Sequence, residues 1–389
     1  MMRIAYLCAD GGVPVFGQKG GSVHVRAMIK AFRAEGHEVE VLCAEAGDGP
    51  ADFPITAIGP DFPPVEGREA KERRLLAIAE ALQSRLEALH QLRPFDMIYE
   101  RYGLWSAAGV RAGRSLGVPT VIEVNAPLVE EQAAFRKFVL QQEARQIEAE
   151  VFCGADALAV VSREVAGYVQ SRGAPGERIH VIGNAVDGST FHPGVPAASV
   201  TGLPDAAFTI GFTGSLKAWH GTDLLVEALA RLRPNLPAHL LIVGDGPERG
   251  ALLEQAARLG LAGSVTITGW VPHHHLPALI ARMDAAVAPY PATANHYFSP
   301  LKLFEYLAMG RAIVASRIGQ TAELLGPTGS GLLIPPGDAD ALADALRRIA
   351  TDPALAASLR KRAALQAGLH DWRQNARRIV DLFPRARAA

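Results

Sequence analysis

Residues 295–310 run Asn-His-Tyr-Phe-Ser-Pro-Leu-Lys-Leu-Phe-Glu-Tyr-Leu-Ala-Met-Gly and read as a helix over 300–309. Ser299 suits the N-cap, Pro300 the first helical position and Gly310 the position just past the end. Leu301, Phe304 and Ala308 make its apolar stripe, while Lys302 and Glu305 are i, i+3 neighbours. A cation in the first turn opposes the helix dipole unless an anion lies beside it. Lys302 therefore points to an anionic ligand at this helix start. A second anion-directed feature is the turn Phe212-Thr213-Gly214-Ser215-Leu216-Lys217-Ala218-Trp219-His220-Gly221, from which Lys217 and His220 project. A third is Gly20-Gly21-Ser22, closing a Gly-rich loop at a helix start. Two glycines let a ligand approach the backbone, and free N–H groups there favour a diphosphate.

Other clusters carry less. His273-His274-His275 has no helical ligand spacing and reads as a solvated turn. Asp338 and Asp340 open an expected helix, where acids need no metal to explain them. The dinucleotide fingerprint G-x-G-x-x-G and the phosphate loop G-x-x-x-x-G-K-[ST] are both absent.

These turns need strands and helices to hold them, and the chain alternates the two. Apolar run 3–9 reads as a strand. A helix from Ser22 follows, with Val25, Met28, Ile29 and Phe32 at i, i+3, i+4, i+7 and a stop at Gly36. A strand at 38–42, a long surface loop at 47–64 and a helix over 66–92 come next. Strands at 96–100 and 119–124, a helix over 128–150 and a strand near 156–161 complete the first half. Gly, Pro, Ser and Thr then dominate up to Pro204, placing a domain boundary near 190–205. Alternation restarts with strand 208–213 and helix 222–232, then strand 239–243, helix 248–259 and strand 264–268. Helix 276–282, strand 285–288, helix 300–309, strand 312–315 and helix 338–351 follow. The pattern implies an α/β protein of two doubly wound parallel-sheet domains, 1–195 and 205–371, facing each other across a cleft. A helical stretch at 354–383, broken at Gly368 and Asp371, brings residues 372–389 back to the first domain.

The 389 residues suit two domains, and 49% hydrophobic with 20% charged excludes a disordered or fibrous chain. With 39 Lys+Arg against 40 Asp+Glu no overall field attracts nucleic acid. Cys8, Cys43 and Cys153 show no C-x-x-C spacing and read as reduced thiols. No apolar run reaches membrane-span length, and run 4–9 is too short for a signal peptide. The expectation is a cytoplasmic protein, with room for peripheral contact at the inner membrane face.

In their order and spacing these motifs resemble the retaining nucleotide-sugar glycosyltransferases of family four, which have the GT-B architecture. The resemblance spans nearly the whole chain. It rests on Gly20-Gly21-Ser22 with His24, Gly36 to Val39, Asn184 to Asp187, Phe191 to Pro193 and Gly214 to Leu225. Gly244 to Pro247, Gly269-Trp270-Val271, Asp284 to Pro289, Ser299 to Gly310 and Gly337-Asp338 complete it. It implies that the second domain binds a nucleotide-sugar donor, most simply a UDP-sugar, and passes the sugar to an acceptor hydroxyl of a glycan, lipid-linked or small molecule. Glu305 would take the ribose hydroxyls, and Phe298, Ser299, Pro300 and Leu301 the sugar and diphosphate. Val271 would meet the base, Gly244 would line the donor site, and Gly20 and Gly21 would approach the diphosphate. The chain departs from the family at three points. Tyr297 replaces the first Glu of a paired motif, Ser215 and His220 replace an Arg and a Lys, and Asn125 replaces a His. Lys217 and Lys302 then supply the missing charge, with Asn125 and His24 lining the reacting side. No metal or cofactor is implied. A nucleotide-sugar epimerase and a nucleotide-sugar-binding partner without turnover are the rival readings.

Overall fold

The computed structural model describes residues 1–135, 138–292 and 297–383 and divides the chain into two compact units. The first holds Met1–Asn184, Tyr297–Ser299 and the residues from Trp372 onward. The second holds the other described residues between Ala185 and Asp371.

The first unit begins with β1 (Arg3–Cys8), α1 (Gly20–Ala34), β2 (Glu38–Cys43), β3 (Ile55–Ala57), α2 (Arg68–Leu92) and β4 (Met97–Arg101). It continues with α3 (Ala108–Leu116), β5 (Thr120–Val124), α4 (Leu128–Phe135), α5 (Gln141–Gly154), β6 (Ala157–Val160), α6 (Arg163–Ser171) and β7 (Ile179–Val181). Among the described residues these strands form one parallel sheet in the order β3-β2-β1-β4-β5-β6-β7. Every residue of β1 and β5 is buried, as expected of strands covered by helices on both faces. Helix α1 buries Val25, Met28, Ile29 and Phe32, the apolar set of the sequence pattern. The strand order reverses between β1 and β4, and loops above such a reversal part to leave room for a ligand.

The segment 47–64, expected as loop, contains the edge strand β3, paired from Ile55 to Ala57 with Val41 to Cys43. Three residues amid prolines are too few to show alternation. The expected helix 128–150 is two helices, α4 and α5, and positions 136–137 lie outside the described residues. The break has a distant cause. Glu72 of α2 is buried, and its carboxylate accepts the N–H of Val139 at 3.0 Å and of Leu140 at 2.8 Å, starting a new helix there.

The second unit comprises β8 (Phe208–Thr213), α7 (Thr222–Leu232), β9 (Ala238–Val243), α8 (Arg249–Arg258), β10 (Val265–Ile267), α9 (Leu276–Ala281) and β11 (Ala285–Ala288). After these come α10 (Leu301–Ala308), β12 (Ala312–Ser316), α11 (Gly319–Leu325), β13 (Leu332–Ile334), α12 (Ala339–Thr351) and α13 (Pro353–Ala367). Its parallel sheet runs β10-β9-β8-β11-β12-β13, reversing between β8 and β11. Residues 185–195, expected within the first domain, group with this unit. The Val186 N–H donates to the His370 carbonyl at 3.0 Å, and the Phe191 ring lies 5.2 Å from that of His273. The last helical stretch divides into α13 and α14 (Trp372–Val380), and α14 packs on α1, with Arg373 and Arg377 donating to Glu35 at 2.6 Å.

The Glu72 contact is testable. Glu72→Leu should leave two backbone N–H groups without their acceptor and lower stability by about 1–3 kcal/mol. Urea unfolding that matches the parent would show that α5 starts without this carboxylate.

Candidate active site

In the second unit the switch point brings together the loop after β8 and helix α10, which follows β11. The Thr213 N–H donates to the Tyr306 hydroxyl at 2.7 Å, pinning α10 to the end of β8. Lys302 lies one turn before Tyr306 and so shares its face. Its ammonium stands 3.8 Å from the centroid of the Phe212 ring and 5.9 Å from that of Tyr290, with no hydrogen-bond partner among the described residues. The residue is 9% exposed. Burial draws the Lys302 pKa down to about 7, against an opposing pull from Glu305. Two glycines bring the loop onto this ammonium. Gly214 has φ +132°, and a Cβ there would lie 2.9 Å from Lys302 Nζ. A Cβ on Gly244, φ +150°, would lie 2.0 Å from the Gly214 carbonyl oxygen. Neither position accepts a side chain.

Lys217 is half-buried, its ammonium 4.6 Å from the centroid of the exposed Trp219 ring. His220 Nδ1 donates to the Ser215 carbonyl at 2.5 Å, while the Ser215 residue itself is exposed. Burial, with Lys302 and then Lys217 nearby, pushes the His220 pKa down to about 3, the Ser215 carbonyl opposing. At neutral pH the ring is uncharged, and its Nε2 presents a lone pair. His220 thus offers an acceptor, and the cations of this loop region are Lys217 and Lys302.

Glu305, i+3 from Lys302 on α10, is buried as well. One carboxylate oxygen, Oε1, pairs with His273 Nε2 at 2.8 Å. The three histidines form a short 3-10 turn in which His274 and His275 are exposed. Val271 precedes that turn by two positions, after an isolated antiparallel bridge between Gly244 and Gly269. Sequence reasoning passed over His273. Its signal was position, two residues beyond Val271. Helix α10 is buried almost all round, Lys302 to Ala308 without exception, so Lys302 and Glu305 are not a surface pair. Pro300 takes the N-cap position expected for Ser299. Ser299 is engaged elsewhere, for its hydroxyl accepts the Asn184 N–H at 3.0 Å and its carbonyl accepts the Asn184 amide at 2.6 Å.

The first unit holds a different polar cluster at the carboxyl ends of β4 and β5. His24 is 3% exposed, its Nδ1 2.7 Å from Asn184 Oδ1 and its Nε2 paired with Glu123. The Trp372 ring meets it edge-on. Burial would raise the Glu123 carboxyl, but His24 and Arg101 outweigh it and hold the pKa below the usual range. Arg101 lies 3.8 Å from Glu123, and Asn125 follows β5 directly. Gly20 and Gly21 form the first turn of α1, two residues earlier than expected, and a Cβ on Gly21 would lie 3.5 Å from the Arg101 guanidinium. Tyr297 also belongs to this unit. Its hydroxyl donates to Glu131, its carbonyl accepts from Ser162 at 2.7 Å, and Phe298 meets its ring edge-on. Glu123 and Arg101 went unread in the sequence, although a carboxylate inside the buried run Thr120–Val124 is itself a signal.

Residues 19–185 match the family described as "Glycosyl transferase 4-like domain", and residues 207–352 match "Glycosyl transferases group 1". A D-inositol 3-phosphate glycosyltransferase of Corynebacterium urealyticum is 31% identical over 62% of this chain and 60% of its own length. One from Jonesia denitrificans is 27% identical over 100% and 97%. Sucrose-phosphate synthase from Thermosynechococcus elongatus superposes with a TM-score of 0.74 at 22% identity, covering 100% of both chains. Anabaena HepE gives 0.74 at 21% identity, over 99% of this chain and 100% of its own. The chain belongs to the family-four glycosyltransferases and has the GT-B fold. Among the described residues no helix is long and apolar enough to cross a membrane, and no three His, Cys, Asp or Glu side chains are grouped to hold a metal.

The buried lysine has a thermodynamic signature. A pKa of about 7 in the fold against 10.5 for the free side chain costs about 5 kcal/mol wherever both states are protonated. That cost is complete below pH 7 and is relieved as pH rises from 7 toward 10.5, where the unfolded chain binds the extra proton. Lys302→Met should raise Tm by several degrees at pH 6, with the gain shrinking toward pH 10. A variant that melts at or below the parent temperature across that range would overturn the account.

Proposed function

We propose that this glycosyltransferase takes its sugar from a UDP-linked donor and transfers it with retention of anomeric configuration, using lysines where other enzymes use a metal. The observation that carries the reading is the Lys302 ammonium beside Gly214 at the β8/β11 switch point, which has no hydrogen-bond partner among the described residues. A buried ammonium without a hydrogen-bonded counter-ion is costly, and a bound diphosphate would supply one. Anabaena HepE, of the same fold, has been crystallised with UDP and glucose and with UDP-glucose, which supports this choice of donor.

In this reading Glu305 accepts hydrogen bonds from the ribose hydroxyls and the backbone at Val271 meets the base. Lys302, Lys217 and the start of α10 at Pro300 and Leu301 neutralise the diphosphate as charge develops on it. His220, neutral with Nε2 bare, accepts a hydrogen bond from a donor hydroxyl. The acceptor oxygen attacks the anomeric carbon on the face from which the β-phosphate departs. As the new C–O bond forms, the bond from carbon to phosphate oxygen breaks, and the acceptor's proton passes to the leaving phosphate. No protein carboxylate is needed as nucleophile. The first unit receives the acceptor, with Asn125 beside the Glu123–His24 pair. Neither the epimerase nor the binding-partner reading has an observation of its own in its favour.

Lys217→Ala and Lys302→Ala should each lower turnover by on the order of 10²-fold, measured as UDP release. The double variant should fall short of the product of the two, because both charges act on one diphosphate. Parental rates in both single variants would move the active site elsewhere. Transfer should also continue in EDTA. Loss of activity on chelation, restored by magnesium or manganese, would overturn the lysine-based account.

A further inference from the structure

The geometry points to His273 as the residue that positions Glu305 for ribose and so sets the preference for a ribonucleotide donor, an inference that rests on the donor reading above. Glu305 is nearly buried on the second turn of α10, and its Oε1 is held by His273 Nε2 at 2.8 Å. Its Oε2 makes no hydrogen bond among the described residues. A carboxylate on two rotatable side-chain carbons sweeps a wide arc unless something fixes one oxygen. Here one oxygen is fixed and the other left open, which defines the plane in which the group meets a pair of neighbouring hydroxyls.

His273 is itself held in place. Pro272, at φ −57° and ψ 141°, leads directly into the 3-10 turn that His273 opens. The imidazole lies 5.2 Å from the ring of Phe191, which is buried, at an interplanar angle of 51°. Because Glu305 presents an acceptor, Nε2 carries the hydrogen of this bond, leaving Nδ1 as the ring's other site. The side chain is 35% exposed, unlike the more enclosed Glu305. It therefore stands at the rim of the site and steadies the carboxylate from the solvent side. Its neighbours His274 and His275 are exposed, with their rings 4.1 Å apart.

The test uses nucleotides alone. Calorimetry with UDP and with 2′-deoxy-UDP reads the ribose contribution without an acceptor. The parent protein should bind UDP at least about tenfold more tightly than 2′-deoxy-UDP, the scale of a charge-assisted hydrogen bond. His273→Ala should weaken UDP about five- to tenfold and bring the ratio of the two nucleotides close to one. His273→Gln, whose amide can donate from near the Nε2 position, should restore most of the ratio. A residue with a purely structural role would weaken both nucleotides alike and keep the ratio. An unchanged ratio in His273→Ala overturns the inference, as does a parent protein that binds both nucleotides equally. In either case measurable UDP binding leaves the donor reading standing. A parent protein that binds neither nucleotide overturns the donor reading itself.

Discussion

A lysine ammonium enclosed by Phe212, Tyr290 and the body of a buried helix is a burden that the second unit must carry. The aromatic face beneath it recovers part of the lost hydration through its quadrupole, and the pull of Glu305 offsets only part of the remainder. The surrounding construction follows from holding that charge in place. Tyr306 ties its helix to β8 through the Thr213 N–H, and the apolar side chains of β8, β11 and β12 pack into one core. Gly214 and Gly244 then allow two backbones to close over the ammonium where any side chain would collide with it or with the neighbouring carbonyl. The result is an ammonium held rigidly in place, as the proposed donor site requires. Preorganised charge of this kind stabilises a developing anion without reorganising at the moment of reaction.

The first unit handles buried charge in the opposite way. Its Glu123 is paired with His24 and lies near Arg101, and His24 is in turn held by Asn184. Asn184 then fastens the tripeptide Tyr297–Ser299 through two hydrogen bonds to Ser299. Opposite charges therefore lie side by side in this cluster, although Glu123 Oε2 and one Arg101 guanidinium nitrogen keep no hydrogen-bond partner among the described residues. Tyr297, standing where the family has a carboxylate, is absorbed into this scaffold through Glu131 and Ser162. A carboxylate there would face Glu131 as a like charge. The tyrosine hydroxyl donates instead, and the departure from the family is consistent with its local surroundings.

Much of the fold is legible in the sequence because its strands are continuous apolar runs separated by Gly-rich turns, which is how parallel sheets covered on both faces read. The strands β3, β7 and β13 have three residues each, too few for any period to emerge. The nine-residue helices α3 and α6 are likewise short. The break between α4 and α5 is set by Glu72, far away in the sequence. The site shows the same division. Lys302 stands out locally because its charge opposes a helix dipole, so the turn that carries it can be found from sequence alone. Its depth depends on Phe212 and Tyr290, which only tertiary packing brings to it. The role of Ser299 is decided by Asn184, and that of His273 by Glu305, so neither can be read from its own neighbours.

The replacement of a loop Arg and Lys by Ser215 and His220 is better understood as a relocation of charge than as its loss. A lysine at position 220 would share its surroundings with the buried Lys302, whose field already pushes the histidine there downward. Two ammonium groups in one dry pocket repel strongly, and one would shed its proton. With Lys302 on α10 as the buried cation, position 220 is compatible with a neutral ring, and a histidine that donates to the Ser215 carbonyl supplies it. Lys217 remains at the half-exposed edge of the same turn, where solvent reduces the repulsion and the Trp219 ring supports its ammonium. The substitutions therefore belong together. Charge sits on the helix, where packing makes it rigid, and the loop keeps a neutral acceptor and one half-buried cation.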